Sequence, residues 1–78
     1  MARIDVKKIR REDKYRNTIH EEVESTYTIF EKNGVKYFQI DTYGKSGRKL
    51  KGQSSQVLQL DESSVHELVC LLSEKFHI

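Results

Sequence analysis

Phe30, Tyr37 and Tyr43 are spaced to share one face of a β-ribbon, and Lys45, Arg48, Lys49 and Lys51 follow within one short segment. Unstacked nucleobases lie on aromatic rings while nearby cations hold the phosphates. Each base–aromatic stack contributes about 1–3 kcal/mol. The same rings could instead pack against the N-terminal segment or a neighbouring subunit. The cations fall within Gly44-Lys-Ser-Gly-Arg-Lys-Leu-Lys-Gly52, which contains no acid. Such a segment suits polymer phosphates, although a loop kept soluble by charge would have the same composition. Its Gly-Lys-Ser is not a triphosphate-binding loop, because the upstream Gly is missing and a strand, not a helix, follows. Lys36 and Gln39 would add polar contacts, and Arg10 and Arg11 a second electrostatic hold.

Other reactive side chains form no constellation. His20, His66 and His77 lack metal-ligand spacing, and Cys70 has no second Cys to pair with. Cys70 lies beside an apolar helical stripe, where a buried structural thiol rather than a nucleophile is expected. Glu21, Glu22 and Glu24 are expected to be solvated. No catalytic residue, cofactor or metal is expected.

These side chains need a scaffold. Lys32-Asn33-Gly34-Val35 lies between two β-rich runs, 22–31 and 35–43. Asn-Gly tolerates the positive φ of a type I′ turn and is the strongest short-range hairpin signal. A two-residue turn there pairs Lys32 with Val35, Glu31 with Lys36, Phe30 with Tyr37, Ile29 with Phe38, Thr28 with Gln39, Tyr27 with Ile40 and Thr26 with Asp41. Period-2 alternation then puts Tyr27, Ile29, Phe38 and Ile40 on a core face. Phe30, Tyr37, Tyr43, Thr28 and Gln39 lie on the other. A third strand is expected at 54–60, joined to the second by the basic loop. A helix is expected over 61–76, with Asp61 as its N-cap and Glu62 in the first turn. Val65, Leu68, Val69, Leu72 and Phe76 form its apolar stripe, widened by Cys70 and Leu71. That arc is broader than a three-stranded sheet requires, which predicts a second copy against it.

The chain is thus expected to be α+β: a small curved antiparallel sheet of three to four strands, then one C-terminal helix. Residues 1–18 read as a basic arm in which Ile4 and Val6 could add a short edge strand, and 19–78 as one domain. With 78 residues the chain has room for one small domain. A domain of this size buries only roughly 60–65% of its unfolded surface. The formal charge of +2 conceals blocks: residues 1–18 hold seven basic and three acidic side chains, and 44–53 hold four cations alone. The remaining segments are acidic. No apolar run approaches the ~18 residues of a membrane helix, and no signal-peptide apolar region follows Met1. A cytoplasmic location is expected.

Tyr37-Phe-Gln-Ile-Asp-Thr-Tyr-Gly44, Arg48-Lys-Leu-Lys-Gly52, Val57-Leu-Gln-Leu-Asp-Glu62 and Leu68 together resemble the single-stranded-DNA-binding domain of the positive-cofactor-four (transcriptional coactivator) family. The resemblance covers about residues 35–76. It implies a curved sheet plus helix, a homodimer formed through that helix, and channels that bind single-stranded or melted DNA with little sequence preference. Lys49 and Lys51 match the family's basic loop, and Tyr43 matches its aromatic near the strand end. This chain has Asp41 where the family carries an Arg, and Gly44 where a Trp follows the Tyr. The function expected is a homodimeric binder of single-stranded DNA or RNA. The alternative is a protein-interaction module, an adaptor, an inhibitor or a subunit of a larger complex, that uses the sheet edge and the aromatic face.

Overall fold

Asn33 and Gly34 both take positive φ, 54° and 78°, and close the tight turn of a β-hairpin. The computed structural model describes residues 1–44 and 55–78. The hairpin strands are β2, Ser25–Lys32, and β3, Val35–Thr42. Their register runs from Lys32↔Val35 to Ser25↔Thr42 and contains every pair expected from the turn. A two-residue turn leaves no freedom to slip, because a shift of one residue would turn the apolar side chains to the other face. β4, Gln56–Asp61, lies antiparallel to β3, with Phe38↔Leu60 and Ile40↔Leu58. α1 follows over Glu62–Phe76. The fold is α+β, a four-stranded sheet followed by one C-terminal helix.

The N-terminal segment differs in detail from the expectation. The added strand is β1, Ala2–Arg3, rather than the Ile4–Val6 alternation. It lies parallel to β4, with Ala2↔Leu58 and Arg3↔Gln59, so the sheet is mixed and ordered β1-β4-β3-β2. Asp5 then accepts a hydrogen bond from the Lys7 backbone N–H and caps a 3-10 turn over Val6–Lys8. The short Asp5 side chain competes with strand pairing by bonding its own backbone two residues on. Val6 is thereby turned under α1. Residues 9–24 carry no helix or strand.

The small core sits where these pieces meet. Val6 is 6% exposed, Leu60 5% and Ser64 3%. Ser64 is a double anchor. Its backbone N–H donates to Asp61 Oδ1 at 2.8 Å, and its Oγ accepts the Val6 backbone N–H at 3.1 Å. Ser64→Ala leaves that Val6 donor buried without its partner, which costs about 1–3 kcal/mol. Thermal denaturation of the variant checks this loss.

The expected N-cap is in place. The Ser64 backbone N–H holds the Asp61 carboxyl below its ordinary range, against a smaller opposing effect of burial, and the Ser64 hydroxyl and the charges of Arg3 and Lys7 add to the lowering. A carboxylate with a depressed folded-state pKa contributes stability above its unfolded pKa, and that contribution is lost as pH falls through the folded value. Asp61→Asn, which can still cap, is therefore expected to flatten the acid limb of a melting-temperature profile against pH.

Candidate nucleic-acid interface

α1 packs against β3 and β4 on the sheet face that carries Phe38 and Leu60. Among the described residues no helix packs on the opposite face, which is the face of Phe30, Tyr37 and Tyr43. All three rings are half-buried, with solvent on one side. Phe30 and Tyr37 are direct cross-strand partners and stack, with centroids 5.3 Å apart and planes 23° from parallel. Tyr43 stands at the far end, where its hydroxyl shares a 3.0 Å hydrogen bond with Thr26 Oγ1. Between them runs a row of amides. Gln59 Nε2 donates to Gln39 Oε1 at 2.7 Å, and Gln39 Nε2 donates to Asp41 Oδ1 at 2.7 Å.

The stacked pair lines a shallow depression of about 460 Å³, completed by Arg3, Lys32, Asn33 and Gln59. Two cations thus flank two rings. Sequence reasoning passed over Arg3, Lys32 and Gln59 as site residues. Lys32 was within reach, since it is two residues from Phe30 and so on the same face. Gln59 alternates with Leu58 and Leu60, and its pairing with Gln39 follows once β3 and β4 are in register. Arg3 reaches the site through a pairing of β1 with β4, 56 residues along the chain from Arg3 to Gln59, and no local pattern signals it.

The other expected site residues separate. Lys36 pairs with Glu31 and lies on the opposite face, lining a small hollow with Ile29, Phe38, Glu62 and Val65. Strand alternation between Lys36 and Tyr37 dictates this, so Lys36 cannot serve the aromatic face alongside Gln39. Arg10 and Arg11 lie in the exposed segment before β2, and Arg11 Nε pairs with Asp13 Oδ1 at 3.0 Å. Lys45, Arg48, Lys49 and Lys51 lie outside the described residues. The chain leaves the sheet past Tyr43 and returns at Ser55, whose N–H donates to the Thr42 carbonyl.

The helix-covered face is incompletely covered. Tyr27 is 69% exposed and Ile29 60%, and on α1 Val69 is 56% and Phe76 68% exposed. Leu58 and Leu72 are also exposed. Cys70, expected to be buried, is instead an exposed free thiol, 3.9 Å from His66 Nε2, because it lies beside the helix stripe rather than in it. Among the described residues no group of three or more His, Cys, Asp or Glu could hold a metal ion, and no helix is long and apolar enough to cross a membrane.

Fold and faces together define a small α+β domain with one polar aromatic face and one unfinished apolar face. No family model, curated protein or solved structure matches the chain.

Proposed function

We propose that this chain binds single-stranded nucleic acid, with the aromatic face as its platform and with little sequence preference. One observation carries the reading: the stacked Phe30–Tyr37 pair lies in an open depression between Arg3 and Lys32. Rings supply base stacking and the two cations supply phosphate contacts on either side. Lys45, Arg48, Lys49 and Lys51 would extend the cationic track from the Tyr43 end. The resemblance to the positive-cofactor-four domain supports the same reading, as does the position of Tyr43. The domain is a binding module of the cytoplasm rather than an enzyme. Fluorescence anisotropy with a labelled oligo-dT tests it. Binding that weakens steeply with salt is expected, and no binding at low salt would overturn the proposal.

The working form is a homodimer that uses the unfinished apolar face. Val6 and Leu60 are the only buried apolar side chains among the described residues, which is a slender core for a domain that must fold alone. The same face offers an open sheet patch, Tyr27, Ile29 and Leu58, and an open helix stripe, Val69, Leu72 and Phe76. A two-fold axis can set the stripe of one copy on the patch of the other, so a single surface is self-complementary. A second copy is also the one partner always present when the chain folds.

The protein-interaction reading keeps one specific support. β2 is an edge strand of eight residues, and an extended peptide could add to it. Lys49→Glu with Lys51→Glu separates the two. Lost oligonucleotide binding supports the nucleic-acid reading, and unaffected function in cells supports the other.

A further inference from the structure

We infer that Asp41 recognises base edges on this face and biases it towards guanine over thymine and uracil at one position. The inference rests on the nucleic-acid reading above. Asp41 is half-buried on the aromatic face, between its cross-strand partners Thr26 and Val57. It lies two residues from Tyr43, whose hydroxyl is tethered to Thr26. A carboxylate repels a phosphate, so a strand crossing at Asp41 keeps its phosphates away and can turn a base edge towards it.

The amide row fixes what that base meets. A carboxylate only accepts hydrogen bonds. Gln39 must therefore aim its Nε2 at Asp41 Oδ1 and its Oε1 at Gln59, which answers with its own Nε2. The order of donors and acceptors is set from the Asp41 end. Asp41 Oδ2 has no hydrogen-bond partner among the described residues, and Gln59 presents its Oε1 as a further acceptor. The amides are thus fixed in orientation, and each keeps a second N–H, whereas Asp41 at the end of the row offers acceptors only.

Guanine answers this pattern best. Its N1–H and N2 amine are adjacent donors that fit the two oxygens of one carboxylate. Cytosine and adenine each bring one amine, as in carboxylate contacts to cytosine N4. Thymine and uracil bring one N–H between two carbonyl oxygens, and those oxygens face the carboxylate unfavourably. Half-burial strengthens both the match and the mismatch.

The experiment compares labelled oligo-dT with the same strand carrying isolated dG, or inosine at the same positions, by anisotropy at low salt. Inosine keeps the purine ring and N1–H and lacks the N2 amine. The dG strand is expected to bind about tenfold more tightly than the inosine strand, as one hydrogen bond to a charged group implies. The isosteric Asp41→Asn should equalise the two and raise affinity for oligo-dT itself. Equal affinity of the dG and inosine strands in the unaltered protein, with oligo-dT bound, overturns the Asp41 assignment and leaves the binding face standing. A preference that survives in Asp41→Asn overturns it too. If no strand binds at low salt, the nucleic-acid reading itself falls, and this inference with it.

Discussion

Replacing Ile29 with Glu is expected to split the proposed dimer into monomers and to lower the melting temperature. Ile29 lies on the sheet face shared with α1, next to the Phe38 ring, yet 60% of it is open in a single chain. In the proposed dimer a second copy would remove that surface from water. A carboxylate there is desolvated without a partner, at a cost of about 3–5 kcal/mol. Each 1.4 kcal/mol is about tenfold in affinity, so the dissociation constant should rise by at least about two orders of magnitude. The two-fold axis brings both copies of the substitution into one interface. Light scattering on the unaltered protein should give twice the monomer mass of 9.2 kDa. Thr28→Glu, on the opposite face, should leave the dimer intact. A monomeric unaltered protein, or a dimer indifferent to Ile29→Glu, would show that something else finishes the apolar face.

Reversing Arg3 and Lys32 together, as Arg3→Glu with Lys32→Glu, should give the second large effect. These are the cations that flank the Phe30–Tyr37 stack. If these cations hold phosphates as proposed, each lost charge-assisted contact should weaken oligo-dT binding by about tenfold. For single strands, each phosphate contact contributes about 0.7 to the slope of log affinity against log salt, so the slope should flatten by about 1.4. The loss should be uniform across sequences, unlike that of a base-reading residue. Arg3 also belongs to β1, so Lys32→Glu alone, at the hairpin turn, separates lost contacts from a loosened strand. An unchanged slope in both variants would place the bound strand on the basic segment at 45–54 instead.

Much of this scaffold was legible because its signals are local. Asn33-Gly34 has one favourable turn geometry, and a two-residue turn leaves one register. Asp61 and Glu62 mark a helix start through groups within one turn of each other. The faces of β3 followed from alternation, and alternation also excludes Lys36 from the aromatic face. The N-terminal segment was less legible. Ile4 and Val6 alternate as strand residues do, but Asp5 between them folds back onto Lys7 and converts the second half into a turn. The docking of that turn depends on the Val6 N–H meeting Ser64 Oγ, 58 residues away.

By itself, then, the sequence determined the hairpin, its register, the capped helix and a polar face bearing aromatic rings, because each is set by contacts between near neighbours in the chain. Tertiary structure decided which face the helix covers, that Arg3 joins Lys32 beside the ring pair, and that Gln59 and Gln39 lock into one hydrogen-bonded row ending at Asp41. Those outcomes depend on strand order and on the parallel pairing of β1 with β4. Such pairings close long loops, whose cost and reward are settled only when the whole sheet assembles.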